Sequence, residues 1–146
     1  MKKTLVIGYG NTLRSDDGVG VRVVEEISTL HLPGVETRTC HQLGLELAEE
    51  FPGFDAVVFV DAAVDGPPIR HSTFPPDASP QSPLAHNVTP ASLLEGAFAL
   101  YGARPEAHLF TVRGESFEFG TVLSPPVKRR AAETVSRVRM FLQSAS

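Results

Sequence analysis

Short apolar runs and helical stripes alternate along the first half of the chain. Leu5-Val6-Ile7 is unbroken and closed by Gly8 and Gly10, the pattern of a strand buried on both faces. Asn11–Asp17 reads as a loop, after which Val19, Val23, Ile27 and Leu30 recur at helical spacing until Pro33-Gly34. Val35–Thr39 alternates like a strand. Leu43–Phe51 predicts a short helix stopped by Pro52-Gly53, and Ala56–Val60 is the most apolar run, ending at Asp61. Strand, helix, strand, helix, strand is the opening of a parallel α/β sheet.

The middle of the chain breaks this rhythm. Pro67, Pro68, Pro75, Pro76, Pro80, Pro83 and Pro90 exclude a continuous helix. Ile69–Phe74 is expected as an edge strand and Pro75–Thr89 as a long loop, a feature more often functional than idle. Pro90 suits the first turn of a helix over Ala91–Tyr101, with Thr89 as its cap. Ala107–Val112 predicts a strand. The last helix should start near Pro125-Pro126, with Val127, Ala131, Val135, Val138 and Leu142 inward and Lys128, Arg129, Arg130, Arg137 and Arg139 on a solvated face. The expected fold is a three-layer α/β/α sandwich in one domain spanning residues 1–146, with a mostly parallel twisted sheet of about five strands.

Composition narrows the function classes. The chain has 146 residues, 42% hydrophobic and 21% charged, with 13 Lys+Arg against 17 Asp+Glu and a net charge of -4. That balance fits a globular domain and not an electrostatic nucleic-acid binder. The single cysteine, Cys40, excludes an internal disulfide and any cysteine-built metal cluster. The apolar run after Lys2-Lys3 is too short for a signal peptide, and no stretch approaches a membrane span. A cytoplasmic protein, without membrane or nucleic-acid partners, is expected.

The densest chemical signal is Gly8-Tyr9-Gly10-Asn11-Thr12-Leu13-Arg14-Ser15-Asp16-Asp17-Gly18-Val19-Gly20. A glycine-rich first turn often cradles a phosphate, but Asp16 and Asp17 would repel it, and neither a Walker lysine nor a dinucleotide spacing is present. Two readings remain for the acids: caps of the following helix, or cation ligands held ionised at its N-terminus. Asp61 ends a strand at the carboxyl edge of the sheet, where α/β folds bind ligands, although an Asp there also commonly just turns the chain. His86, in Ala85-His86-Asn87-Val88-Thr89-Pro90, is one imidazole candidate among His31, His41, His71 and His108. No Gly-x-Ser-x-Gly elbow supports nucleophilic catalysis, and nothing marks Cys40 as activated. Two carboxylates and an imidazole would instead make an O,O,N site suited to nickel, zinc, manganese or iron.

At this point the sequence resembles the hydrogenase maturation endopeptidases, which trim the C-terminus of nickel–iron hydrogenase large subunits. The resemblance rests on Gly10–Gly20, on His41-Gln42-Leu43 with Glu46-Leu47, on Val57–Ala63, on the His86 loop and on Leu123-Ser124-Pro125. It implies metal ligands at Asp17, Asp61 and His86, with Asp17 standing where many relatives carry Glu. It implies aspartic-type endopeptidase activity on a precursor large subunit whose nickel is already inserted, so that the substrate presents the metal and trimming activates the hydrogenase. Another divalent cation at the same site is compatible with those ligands. Asp16 or another acid is then a candidate general base.

Two rivals belong to other classes. A nickel-sensing chaperone or binding module would use the same ligands without cutting. Peptidyl-tRNA hydrolysis, suggested by the opening Gly-Asn and by His86-Asn87, leaves Asp16-Asp17 unexplained. A monomer acting by metal-guided hydrolysis is the expectation carried forward.

Overall fold

A computed structural model describes residues 2–74 and 88–144. The strands are β1 (Thr4–Tyr9), β2 (Val35–Cys40), β3 (Ala56–Ala63), β4 (Ile69–Thr73) and β5 (Glu106–Arg113). The α-helices are α1 (Val19–Thr29), α2 (Pro90–Tyr101) and α3 (Pro125–Ser144). They form one five-stranded sheet in the order β2-β1-β3-β5-β4. All neighbours run parallel except β4, which pairs antiparallel with β5 and closes one edge. The expected mostly parallel α/β sandwich is what forms.

The apolar runs become the central strands because both of their faces are covered. Val6, Val58, Val60, Phe110 and Val112 point to α1 and α3, whereas Leu5, Ile7, Val57 and Phe59 point to α2 and the segment Leu45–Gly53. Each of these strand side chains is at most 1% exposed, so each contributes about 1.5–3 kcal/mol of apolar burial.

The opening glycines have a packing reason. A Cβ on Gly20 would overlap the Val60 carbonyl oxygen, and one on Gly8 would overlap the carbonyl oxygen of Gly20. The first turn of α1 therefore lies directly on the carboxyl ends of β1 and β3, closer than any side chain allows.

Local signals fared well where the backbone itself sets the structure. Thr89 caps α2 in a reciprocal box with Ser92, Pro90 is its first residue, and Gly102 ends it at φ 69. Three expectations need correction. The short helix expected over Leu43–Phe51 forms as a 3-10 helix over Leu45–Gly53, starting two residues later and carrying Pro52 inside it. The third strand does not stop at Val60 but runs through Asp61 to Ala63, because β5 pairs with it as far as Arg113. Arg130 leaves the solvated face of α3 to donate to the Arg113 carbonyl oxygen (2.7 Å) and to Glu115 (2.8 Å). Among the described residues, no helix is long and apolar enough to cross a membrane.

Candidate functional site

β1 is the strand from which the chain departs in one direction while its next parallel neighbour lies in the other. α1 carries the chain to β2, yet β3 flanks the opposite side of β1. Between β1 and β3 the loops diverge and leave a crevice at the carboxyl edge. Gly8 pairs with Val60, so Tyr9 and Asp61 follow side by side at that edge.

Asp61 is held from two directions. Its Oδ1 accepts the Ala62 N–H at 2.7 Å, and the Tyr9 hydroxyl donates to its carboxylate. Burial pushes the Asp61 carboxyl up to about 6, and the nearby charge of Asp17 adds to that push; the Tyr9 and Ala62 hydrogen bonds oppose it. Tyr9 responds in kind: its own burial, then the adjacent Asp61 charge, raise the phenol above its ordinary value.

Asp17 reaches the same crevice from the glycine-rich turn. Gly10 has φ +146, and a Cβ there would overlap the Asp17 carbonyl oxygen, so the turn folds tightly back on itself. Asp17 Oδ2 accepts the Asn11 N–H at 2.7 Å, and Asn11 Oδ1 accepts from Leu13 N–H at 2.9 Å. The capping reading of these acids fails, because the residue that caps α1 is Gly18 and no side chain bonds there.

Asp16 does not join the pair. Its side chain belongs to a fully buried residue that accepts four hydrogen bonds from the loop between β5 and α3. The donors are Ser124 N–H (2.8 Å), the Ser124 hydroxyl (2.8 Å), Glu115 N–H (2.8 Å) and Ser116 N–H (2.9 Å). Desolvation works to raise the Asp16 pKa, but these bonds outweigh it and hold the carboxyl below its usual range. It stays ionised as expected, though the cause is a loop about a hundred residues away and not the helix end.

The histidines separate by location. His86 lies outside the described residues. His41 is exposed just beyond β2, at the same carboxyl edge as Asp17 and Asp61. His31 follows α1 at the other edge, and His71 and His108 sit on β4 and β5. Among the described residues, no group of three His, Cys, Asp or Glu side chains converges to hold a metal. A cleft of about 580 Å³ lined by Phe74, Leu94, Phe98 and Arg104 opens at the amino end of β5, away from the acidic pair.

Two residues of the site had escaped the reading of the sequence. Tyr9 sits between two glycines as the lone aromatic of an aliphatic strand, a signal that an end-of-strand polar contact was needed. Ser124 was visible only as a motif; the structure gives it the work of binding Asp16 through both its amide and its hydroxyl.

No family model matches the chain, and no curated protein does. Solved structures do. The hydrogenase maturating endopeptidase HybD from E. coli aligns with a TM-score of 0.79 at 24% identity, over 99% of this chain and 94% of its own. The hydrogenase 2 maturation peptidase from Thaumarchaeota archaeon SCGC_AB-539-E09 aligns with a TM-score of 0.71 at 26% identity, over 97% and 98%. The [NiFe] hydrogenase maturation protease HycI from Thermococcus kodakarensis KOD1 aligns at 0.76 and 21%, over 97% and 93%. What this chain shares with them is the fold, along nearly its whole length.

Proposed function

We propose that this chain is a hydrogenase maturation endopeptidase, which removes the C-terminal extension of a nickel-loaded hydrogenase large-subunit precursor. The observation that carries the reading is the convergence of Asp17 and Asp61 at the β1/β3 crevice, close enough that the charge of one raises the pKa of the other. Its setting is a fold shared end to end with a hydrogenase maturation peptidase at 26% identity.

Two carboxylates that repel one another suit a divalent cation, and the precursor's nickel is the ion we assign to them, with His86 as third ligand. Held there by Asp17, Asp61 and His86, such an ion would supply polarisation of the scissile carbonyl or simply anchor the precursor's tail. The protein's own part is positional. Tyr9 and the Ala62 amide aim Asp61, and the Asn11 amide aims Asp17. Asp16 is assigned to the loop it clasps and not to proton transfer, since four donors already occupy its oxygens. We further assign the protein to the cytoplasm, acting as a monomer with neither nucleic acid nor membrane.

The test is incubation with a purified large-subunit precursor, loaded with nickel or free of it, followed by intact-mass measurement. Trimming of the loaded form only, abolished by Asp17→Ala, Asp61→Asn and His86→Ala, is the expected result. Normal trimming by Asp17→Ala overturns the ligand assignment. A stable complex with no mass loss points to the nickel-sensing chaperone instead, and trimming of nickel-free precursor in chelator removes nickel from the scheme.

A further inference from the structure

Away from the crevice, on the sheet face covered by α3, two imidazoles meet. His71 on β4 and His108 on β5 are diagonal neighbours, since His71 pairs with Phe110 and Thr73 with His108. His71 Nε2 lies 2.9 Å from His108 Nδ1. Both rings are braced by aromatics: His71 stacks on Phe110 at 4.2 Å, and His108 packs on Phe141 of α3 at 4.4 Å. His108 is 5% exposed and its Nε2 is buried without a hydrogen bond, an expensive omission for a polar atom. The Glu106 carboxylate stands 3.4 Å from that nitrogen and is itself bound by Lys2 at 2.6 Å.

We propose that His71 and His108 form a second metal site, a two-imidazole seat for a copper(II)- or nickel(II)-type ion, with Glu106 behind His108 as its orienting carboxylate. In the neutral pair one nitrogen must carry the proton between the rings. Moving that ring to its other tautomer frees a lone pair on each of two nitrogens 2.9 Å apart, with no net loss of protons, and a rotation of both rings off the line between them turns the lone pairs toward a common ion. A His108 that carries its proton on Nε2 presents it on the side of Glu106, whose carboxylate would need to close in from 3.4 Å to complete the carboxylate–histidine–metal arrangement that fixes tautomer and ring orientation.

The spacing selects the class of ion. Two nitrogens 2.9 Å apart, each about 2.0–2.1 Å from a common metal, subtend about 90° there. That is a square-planar or octahedral angle, as copper(II) and nickel(II) prefer, and it is smaller than tetrahedral zinc requires. His71 is exposed, so the ion can enter and solvent can complete its coordination. His108 pairs with Val58 and Thr111 with Asp61, so the seat lies three residues, roughly 10 Å, down the sheet from the proposed cleavage site.

The full chain, untagged and carrying Asp17→Asn, Asp61→Asn and His86→Ala to silence the crevice, is titrated with copper(II) chloride and followed by electron paramagnetic resonance and calorimetry. One equivalent should bind, with hyperfine structure from two imidazole nitrogens. Adding His71→Ala, which removes an exposed ring stacked on Phe110, should abolish the two-nitrogen signal while circular dichroism shows the fold retained. Adding Glu106→Gln should weaken affinity about 10–100-fold while keeping that signal. Absence of a two-nitrogen signal in the parent, or its survival in His71→Ala, overturns the site and leaves the pair as a hydrogen bond only. These readouts need no precursor, so they stand or fall apart from the cleavage assay.

Discussion

Removing the Asp16 carboxylate is expected to loosen one entire loop. Its oxygens tie Glu115, Ser116 and Ser124 to the glycine-rich turn, and the same turn is bridged to that loop by Ser15 N–H to the Gly120 carbonyl oxygen at 2.8 Å. Hydrogen bonds to a charged acceptor contribute about 1.5–3 kcal/mol each. The four donors share one carboxylate and Glu115 is exposed, so the contributions do not add and water replaces part of the loss. Asp16→Ala should therefore cost about 3–5 kcal/mol, well below the simple sum of four such bonds, the penalty coming from neutral donors left without their acceptor. In a chain of this length that lowers Tm by roughly 10–15 °C. Urea denaturation should show a lower midpoint at an unchanged slope. The pH dependence has a definite sign, because the folded pKa is depressed. The stability from Asp16 is fully present above the unfolded value of about 3.9, and it is lost as pH falls through the lower folded value. The wild type should lose stability over that acid window, and Asp16→Ala should lack that component. A loss below about 1 kcal/mol in Asp16→Ala would refute the clasp. An Asp16→Asn protein as stable as wild type yet unable to trim precursor would return Asp16 to the chemistry.

Asp61→Asn should behave in the opposite sense. The folded pKa of Asp61 is raised to about 6, so its charge destabilises the fold increasingly as pH rises above the unfolded value of about 3.9. Thermal unfolding at pH 8 should show a gain of about 1–2 kcal/mol, after allowance for partial exposure, and no gain at pH 4, while trimming is lost. Gly20→Ala should destabilise by about 2 kcal/mol or more, despite a helix propensity that favours Ala by about 1 kcal/mol. The added methyl would overlap the Val60 carbonyl oxygen, so a midpoint unchanged or raised in urea would contradict the close contact between α1 and the sheet.

The sequence by itself determined what depends on near neighbours. Strand runs buried on both faces, the Thr89–Pro90 start of α2 and the acids of the glycine-rich turn all follow from local periodicity and capping chemistry. So did the candidacy of Asp61, because a carboxylate that ends an apolar strand lies at the sheet's carboxyl edge. Only the tertiary structure separated Asp16 from Asp17. Adjacent in sequence, they face different partners: one meets Ser124, 108 residues away, and the other shares a crevice with Asp61. The reach of β3 past Val60 was likewise decided by β5, and the inward turn of Arg130 by the Arg113 carbonyl. Tyr9 and the His71–His108 pair belong to the same class. Hydrogen bonds between strands depend on register, and register is set by which strands the whole sheet places side by side.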